Sequence, residues 1–370
     1  MRQITLLLVT CGLAFGAVQP TPPAVRPARP TSALPMDPDD PAIWVNRADP
    51  SRSLVVGTMK VAAPDGGLAV FGLDGQLRQF LAGADRPNNV DVEYGLPLGG
   101  VPTDVAVLTE RLGRRLRAYA FAADGSALRD VSGDSLARVL EAAPGNEGAP
   151  MGIGLYRRPR DGAVFAIVAP KAGPASNYLW QYRLEDEGNG RVGARFVRRF
   201  GGFSGTKEIE AVAVDDALGY VYYAEEDTGI HKWDADPDRP GAGRELALFA
   251  TTGYVGDREG IGVYARADGT GFIVCVDQRP GESVFHVYRR EGERGRPHDH
   301  RRELGVFTGG ADSTDGLDVV SAPLGAGFPE GVLVAMNSAS RNFLIFDWRA
   351  IIAAVPALRH TPATRRPGSR

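Results

Sequence analysis

Acidic and amide side chains that could bind a metal ion recur along this chain, each time where a short apolar run begins. They return about every 50 residues, a period that is typical of a repeat architecture. This first polar set consists of Asp39, Asp40, Asn88, Asn89, Asp91, Glu147, Glu208, Glu210, Asp257, Glu259, Asp312, Asp315 and Asp318. A second polar set ends the next apolar run, and consists of Lys60, Arg111, Lys171, Glu225, Glu226, Asp227, Asp277, Gln278 and Asn337. If the repeats pack side by side, the two sets meet at one end of the fold.

Carboxylates that converge in this way need a cation, because their repulsion would otherwise raise their pKa values or unfold the site. Ca²⁺ accepts six to eight oxygen ligands in flexible geometry, so it suits this donor set. The five histidines and two cysteines show no spacing typical of a zinc site. Any single acidic residue could instead be a solvated strand end or a turn cap. Recurrence in every unit favours a site for several Ca²⁺ ions.

Three cationic residues accompany the carboxylates. Lys60, Arg111 and Lys171 each end a second apolar run. Only four of the 42 basic residues are lysine, and two of these four are Lys60 and Lys171. In a chain that otherwise uses arginine, lysine at these two positions indicates a specific role. Cations beside a metal–carboxylate cluster suit a ligand that carries phosphates. The alternative is that all three are ordinary charged strand ends.

The elements that must position these residues form a unit of three apolar runs, repeated six times. The first runs lie at 39–45, 88–94, 152–158, 208–216, 258–264 and 313–321, and the second at 53–60, 104–111, 163–171, 220–227, 272–278 and 332–338. The third lie at 67–77, 116–128, 178–190, 229–238, 283–293 and 343–351. The runs are β-branched and aromatic, Gly, Asp and Pro turns separate them, and no long helical periodicity is present. This predicts an all-β, six-bladed β-propeller. A β-helix has shorter coils, and a sandwich pair would not repeat one order six times.

The ends of the chain have a different composition. We expect a signal peptide at 1–17, a Pro-rich linker at 18–35, the propeller at 36–355 and a disordered tail at 356–370. The apolar stretch near the N-terminus is too short for a membrane span. The protein is therefore predicted to be secreted or periplasmic, and the residues before Cys11 fit a lipoprotein cleavage site poorly. Without the signal peptide, Cys275 is the only thiol and no intramolecular disulfide is possible.

Composition also limits the partners. The 370 residues carry a net charge of −3, and the basic residues are scattered rather than clustered, so nucleic-acid binding is not expected. We expect a monomer whose partner is a phosphorylated small molecule.

Five stretches in order along the chain resemble the β-propeller phytases, a family of alkaline, calcium-dependent phosphatases of myo-inositol hexakisphosphate (phytate). They lie at 37–45, 86–98, 214–238, 257–274 and 313–335. The resemblance implies several Ca²⁺ ions, with a catalytic cluster at the channel mouth. It implies that Asp40, Glu147, Glu210, Glu226, Asp257, Glu259, Gln278 and Asp315 are metal ligands or their supports, and that Asn89 and Asp91 form a further channel-side site. It also implies that Lys60, Arg111 and Lys171 bind phosphate.

The chain departs from the family pattern at three positions. Met151 stands where the family has a tyrosine, Ala211 replaces a glycine, and Gly309 lies where an aspartate is usual, with Asp312 close enough to replace it. These changes leave the fold prediction intact, but they could weaken a calcium site or a phosphate contact.

The chemistry that these residues suit is hydrolysis of a phosphomonoester by in-line attack of a metal-bound water. The catalytic candidates are Glu210, Glu226 and Glu259, which would hold the metals, while Lys60, Arg111 and Lys171 would fix the phosphate. One alternative is a non-catalytic, calcium-stabilised propeller that binds a phosphorylated or sugar ligand. Another is a propeller lactonase or sugar dehydrogenase, although a lactonase channel does not need three cations beside its carboxylates.

Overall fold

A computed structural model describes residues 21–141 and 143–359, so the predicted signal peptide lies outside the described residues. The first twelve strands are β1 (Arg29–Pro30), β2 (Pro38–Trp44), β3 (Leu54–Met59), β4 (Gly67–Gly72), β5 (Leu77–Ala82), β6 (Pro87–Leu98), β7 (Val101–Glu110), β8 (Arg115–Phe121), β9 (Leu128–Asp130), β10 (Pro150–Arg157), β11 (Val164–Pro170) and β12 (Ser176–Gly188). The next twelve are β13 (Arg191–Gly202), β14 (Val212–Asp215), β15 (Tyr220–Glu225), β16 (Gly229–Asp234), β17 (Ala247–Phe249), β18 (Asp257–Ala265), β19 (Gly271–Gln278), β20 (Val284–Arg289), β21 (Glu303–Thr308), β22 (Leu317–Val320), β23 (Val332–Asn337) and β24 (Asn342–Asp347). The described residues also contain one α-helix, α1 (Trp348–Ala354), and 3-10 turns at Pro50–Arg52, Asp134–Arg138, Gly145–Gly148 and Pro356–Leu358.

The strands form six antiparallel sheets of four strands, which confirms the predicted six-bladed β-propeller. Blades 1 to 5 are β2–β5, β6–β9, β10–β13, β14–β17 and β18–β21, and blade 6 combines β22–β24 with β1. The innermost strands β2, β6, β10, β14, β18 and β22 contact one another in a closed ring around the axial channel. Because each second strand is antiparallel to the first, it ends at the mouth where the innermost strand begins.

Burial falls from the second strand of a blade to its outer strand. Every residue of β3, β11 and β23 is buried, and so is every residue of β15 except half-buried Tyr220, because the neighbouring blades cover both faces of these strands. The outer strand β5 is half-buried or exposed. Six hydrophobic clusters fill the fold, one at each interface between adjacent blades. The second strands are therefore continuous apolar runs in the sequence. A strand that is buried on both faces does not alternate between apolar and polar residues.

The N-terminal segment closes the ring. The described part of the region predicted as a Pro-rich linker is extended and packs on the propeller. β1 pairs with β24 as the fourth strand of blade 6, and Val25 N donates to Thr308 O (2.7 Å) at the end of blade 5. Val25 and Leu34 are buried. This segment joins blade 6 to a part of the chain about 300 residues earlier, a long-range contact that the local composition could not indicate.

The last apolar run, predicted as strand throughout 343–351, ends earlier than expected. β24 stops at Asp347, whose side chain accepts a hydrogen bond from Arg349 N (3.0 Å) and caps α1. Leu358, in the segment predicted as a tail, is fully buried. Cys275, the only described cysteine, is buried in β19, and burial raises the pKa of its thiol to about 12. No helix within the described ranges is long and apolar enough to cross a membrane.

Candidate metal and phosphate site

Four of the six strands that line the channel begin with β-bulges. The pairing register shifts between Pro38 and Pro41 in β2, and at the equivalent places in β6, β10 and β18. A bulge puts two residues opposite one and turns their side chains away from the regular alternation. The residues in these bulges are Asp39 and Asp40 in β2, Asn88 and Asn89 in β6, Met151 and Gly152 in β10, and Glu259 and Gly260 in β18. The bulges thus bring site residues to the mouth and to the channel wall.

Two threonines tie the bulges of neighbouring blades together. The Thr58 hydroxyl accepts from Asp40 N (3.1 Å) and donates to Asn88 O (2.6 Å) in the next blade. Thr109 repeats this one blade further on, where it accepts from Asn89 N (3.1 Å) and donates to Met151 O (2.6 Å). The bulged backbone is therefore held by side chains buried between blades.

One part of the mouth is built around Lys60. Its ammonium contacts Asp39 and lies 3.1 Å from Asp315 Oδ2. The amide of Gln278 donates to the other oxygen of Asp315. Burial alone would lower the pKa of Lys60, but the charges of Asp39 and Asp315 raise it, so the ammonium stays protonated.

A second part of the mouth is a chain of charges from blade 2 to blade 4. Arg111 Nη2 lies 3.3 Å from Glu210 Oε1 and 3.7 Å from Glu208 Oε2. The ammonium of Lys171 contacts the other oxygen of Glu208. The Arg111 guanidinium also contacts the Met151 sulfur, from Nε at 2.8 Å and from Nη2 at 2.6 Å. All three cations predicted to bind phosphate therefore face the mouth, and each has a carboxylate partner.

The third part is a group of carboxylates that could hold a metal. One oxygen from each of Glu226, Asp257 and Glu259 lies within 4.8 Å of the others. Burial and the charges of Asp257 and Glu210 raise the pKa of Glu226 to about 7. Burial and the charges of Glu210 and Glu226 raise the pKa of Glu259 as well. Burial and the repulsion between these carboxylates therefore both disfavour their charged forms, and a bound cation would relieve that repulsion.

Other predicted ligands lie deeper, in the channel wall. Asp40 Oδ2 accepts from Val90 N (3.0 Å), and Asp91 Oδ2 accepts from Leu155 N (2.7 Å) in the next blade. Asp318, which belongs to the same recurrent set, accepts from Ile43 N (2.8 Å) in blade 1. These carboxylates therefore link neighbouring blades through backbone N–H groups. Burial and the charges of nearby carboxylates raise the pKa of Asp91 to about 8. Burial alone raises the pKa of Asp318 to about 6.

Glu147 is not brought into this group by the contacts of the described residues. It lies in the Gly145–Gly148 turn, two residues before Ala149, whose carbonyl accepts from Lys171 N (2.8 Å). Its backbone is thus near the mouth, while its side chain makes no ion pair with the described cations. Asp312, the possible replacement for the residue missing at Gly309, instead accepts from Gly281 N and holds a loop.

Three residues at the site were not predicted as metal ligands, phosphate-binding residues or catalytic residues, although Glu208 belongs to the recurrent acidic set. Glu208 contacts two of the three cations that are predicted to bind phosphate. Lys207 contacts Asp257. Buried Arg258 donates to Glu226 O (2.9 Å) and so fixes the backbone of a candidate ligand. Three of the four lysines lie at the mouth. The scarcity of lysine in the sequence could therefore have indicated Lys207 as a site residue.

The donor set of the mouth and channel fits a hard cation. Glu259 Oε2 and Asn89 Oδ1 are buried and have no hydrogen-bond partner among the described residues. Both face a cavity of about 170 Å³ that is lined by Asp40, Asp91, Asp318 and other residues of the innermost strands. The donors are carboxylate and amide oxygens, which Ca²⁺ prefers, without histidine or thiolate.

Comparison with known proteins gives a family for this fold and site. A sequence model of the family described as Phytase matches residues 27–360. The 3-phytase of Bacillus subtilis (strain 168) is 31% identical over 324 residues, which cover 85% of this chain and 80% of that protein.

Solved structures with a similar outline are more distant. A Bacteroides thetaiotaomicron protein from structural genomics has a TM-score of 0.46 at 9% identity and covers 87% of this chain and 73% of that chain. A chain of a mitotic checkpoint complex has a TM-score of 0.44 at 10% identity, with coverage of 93% and 98%. The fold assignment therefore depends on the six sheets themselves.

Proposed function

This chain belongs to the phytase family and is a phosphatase of the phytase type, and from that premise we propose that it releases phosphate from phytate with Ca²⁺ as its cofactor. The observation that supports this most directly is the meeting, at one channel mouth, of a carboxylate group and three cations. A phosphomonoester requires both, because a metal needs anionic ligands and a phosphate needs cations. Family membership also favours an enzyme over a propeller that only binds its ligand.

The residues proposed to hold metal lie in two places, at the mouth and deeper in the channel. Glu226, Asp257 and Glu259 would hold metal at the mouth, with Glu210 and Asp315 beside them. When bound, Ca²⁺ would lower the pKa of a water molecule and offset the charge of the phosphate oxygens. Asn89 and Asp91, deeper in the channel, would hold a further ion through the unpaired amide oxygen of Asn89.

The cations would bind and orient the substrate. Lys60 and Arg111 are both only 14% exposed, so their side chains are held at the mouth rather than free in solvent. Lys171 is 27% exposed and lies further out. We propose that the buried pair contacts the phosphate to be cleaved, and that Lys171 contacts the same phosphate or a neighbouring one on the inositol ring.

The test is phosphate release from phytate by purified protein at fixed pH, with saturating Ca²⁺ and with excess chelator. Release that depends on Ca²⁺ is the expected result, and chelation should also lower the melting temperature, because an ion that binds only the native state stabilises it. Mg²⁺ at the same concentration is the matched control for charge. No release of phosphate from phytate under any of these conditions would contradict the proposal. Equal release of phosphate in Ca²⁺ and in chelator, with an unchanged melting curve, would contradict the calcium requirement alone.

Export remains part of the proposal. We propose that residues 1–17 are removed as a signal peptide and that the protein acts in the periplasm or outside the cell, as a monomer. Mass spectrometry of protein recovered from the medium or periplasm should give an N-terminus near residue 18. A lipid on Cys11, or an intact N-terminus, would contradict it.

A further inference from the structure

Two consecutive residues, Lys207 and Glu208, place opposite charges on the two halves of the candidate site. The Lys207 ammonium contacts Asp257 of the carboxylate group. The Glu208 carboxylate contacts Lys171 with one oxygen and lies 3.7 Å from Arg111 Nη2 with the other. Both side chains are partly exposed, at 44% for Lys207 and 27% for Glu208, so solvent and ligands reach them.

The backbone that carries these side chains is anchored on blade 4. Ser204 N donates to Glu225 Oε1 (2.8 Å), and the Thr206 hydroxyl donates to Asp227 Oδ1 (3.1 Å). Glu208 O accepts from Glu226 N (3.3 Å). Lys207 has a φ of +55°, a left-handed conformation that few residues other than glycine adopt. The segment is therefore fixed at the mouth, while rotation about side-chain bonds can still move the two charged groups.

The chemistry of each contact matches that of a proposed ligand. An ammonium on Asp257 supplies positive charge where a metal ion would be bound. A carboxylate whose two oxygens face Lys171 and Arg111 resembles two oxygens of a phosphate that bridges the same cations. We propose that Lys207 competes with a metal ion for Asp257, that Glu208 competes with phosphate for Lys171 and Arg111, and that both side chains are displaced when these ligands bind. This rests on the proposed function for the identity of the ligands.

Glu208 is then a specificity-determining residue. Phosphate must compete with a carboxylate that is already on its cations, and after displacement that carboxylate still repels a polyanion at short range. Glu208 therefore weakens phosphate binding, and it does so most for ligands that carry several phosphates. A residue that only supported Lys171 and Arg111 would have the opposite effect when removed.

The first experiment measures binding of inorganic phosphate by calorimetry in excess chelator, below the melting temperature of the chelated protein. Glu208→Gln should bind phosphate about fivefold more tightly than the wild type, since an ion pair of this exposure is worth up to about 1 kcal/mol. Glu208→Ala should shift affinity in the same direction, which separates displaced charge from any effect of the new amide. The control is Glu185→Gln, because Glu185 also lies between two arginines, Arg183 and Arg195, but on the outer part of blade 3. Weaker or unchanged phosphate binding by both Glu208 variants would overturn the inference.

The second experiment measures Ca²⁺ binding without phosphate. Lys207→Gln should bind Ca²⁺ about threefold or more tightly, because the ion no longer competes with an ammonium for Asp257. Arg78→Gln is the control, since it removes a half-exposed cation that pairs with Asp74 away from the mouth. An affinity equal to that of the wild type would show that Lys207 does not compete with a metal ion for Asp257.

These readouts separate the inference from the proposed function. Tighter phosphate binding by Glu208→Gln in a protein that hydrolyses no phytate would support the inference and reject the function. Calcium-dependent hydrolysis with unaltered ligand affinities in the variants would support the function and reject the inference.

Discussion

The mouth and the wall of the channel use the same residue types in different ways. In the wall, carboxylates such as Asp40 and Asp91 accept backbone N–H groups from the next blade. At the mouth, Glu259 has an oxygen with no partner, and Glu210 and Asp315 are paired with side-chain cations. An oxygen that accepts a backbone hydrogen bond holds the fold together, whereas one that has no partner, or only a side-chain cation as its partner, is available to a ligand. Recurrence in sequence identified both groups, and their hydrogen bonds separate them.

The largest expected contrast is between one carboxylate from each region. Glu259→Gln should reduce phosphate release from phytate by about a hundredfold or more, because it removes a proposed metal ligand. Its melting temperature in chelator should not fall, since the change removes a buried negative charge. Asp318→Ala should keep most of the activity at saturating Ca²⁺ but melt several degrees lower, because Ile43 N and Val319 N lose their acceptor, at about 1–3 kcal/mol for each buried group.

Activity assays and melting curves of these two variants check that division. Glu185→Gln serves as the control for the glutamate change, since Glu185 is a partly exposed residue of β12, near the end of that strand that is remote from the mouth. If Glu259→Gln lost stability and kept activity, this mouth carboxylate would support the fold and would not be needed for phosphate release.

The next contrast is between the two lysines at the mouth and an exposed arginine elsewhere. Lys60→Ala and Lys171→Ala should each reduce phytate hydrolysis by about ten- to a hundredfold, the range expected for loss of a charge-assisted phosphate contact. Lys60 should give the larger loss, because it is less exposed and therefore less screened by solvent. Arg78→Ala, at an exposed ion pair, is the control. Full activity in both lysine variants would mean that phosphate binds elsewhere.

A smaller effect concerns pH and the far end of the channel. Burial and the charge of Asp215 raise the pKa of Asp216 to about 7, even though Arg157 N donates to it. A carboxyl whose folded pKa exceeds its unfolded value of 3.8 favours the folded state at low pH, and that contribution is lost as pH rises from about 4 to about 7. In chelator, the melting temperature of Asp216→Asn should therefore fall less between about pH 4 and about pH 7 than that of the wild type.

Melting curves at intervals between pH 4 and pH 8 measure this slope, with the turn variant Asp65→Asn as the control for charge. Parallel curves for Asp216→Asn and the wild type would contradict the raised pKa.

The smallest expected effect is at Met151. Its sulfur, a weak acceptor, is the side-chain partner of Arg111 on the blade 3 side. Met151→Tyr should raise kcat/KM for phytate a fewfold by offering a phenolic hydroxyl, and Met151→Leu should lower it slightly by removing the sulfur. Steady-state kinetics of the three proteins measure this. A lower rate for the tyrosine variant with unchanged stability would show that this chain has adapted to methionine.

Much of the fold and part of the site could be predicted from the sequence. The repeat of apolar runs, each short enough for one strand, indicated six blades, because strands covered on both sides must be apolar throughout. The position of polar residues at run ends placed Lys60, Arg111 and Lys171 at the mouth, since antiparallel pairing brings those ends together. The local pattern could not indicate that β1 completes blade 6, because a two-residue strand in a Pro-rich segment has almost no periodicity of its own.

The sequence by itself therefore determined the architecture and the inventory of charges. Only the tertiary structure decided which charges meet. The bulges at Asp39–Asp40, Asn88–Asn89 and Glu259–Gly260 insert one residue into the pairing and so change the face to which each side chain points. The contacts of Glu208 with Arg111 and of Lys60 with Asp315 join residues of different blades, far apart in the chain. Such contacts depend on closure of the whole ring, which no local pattern of residues contains.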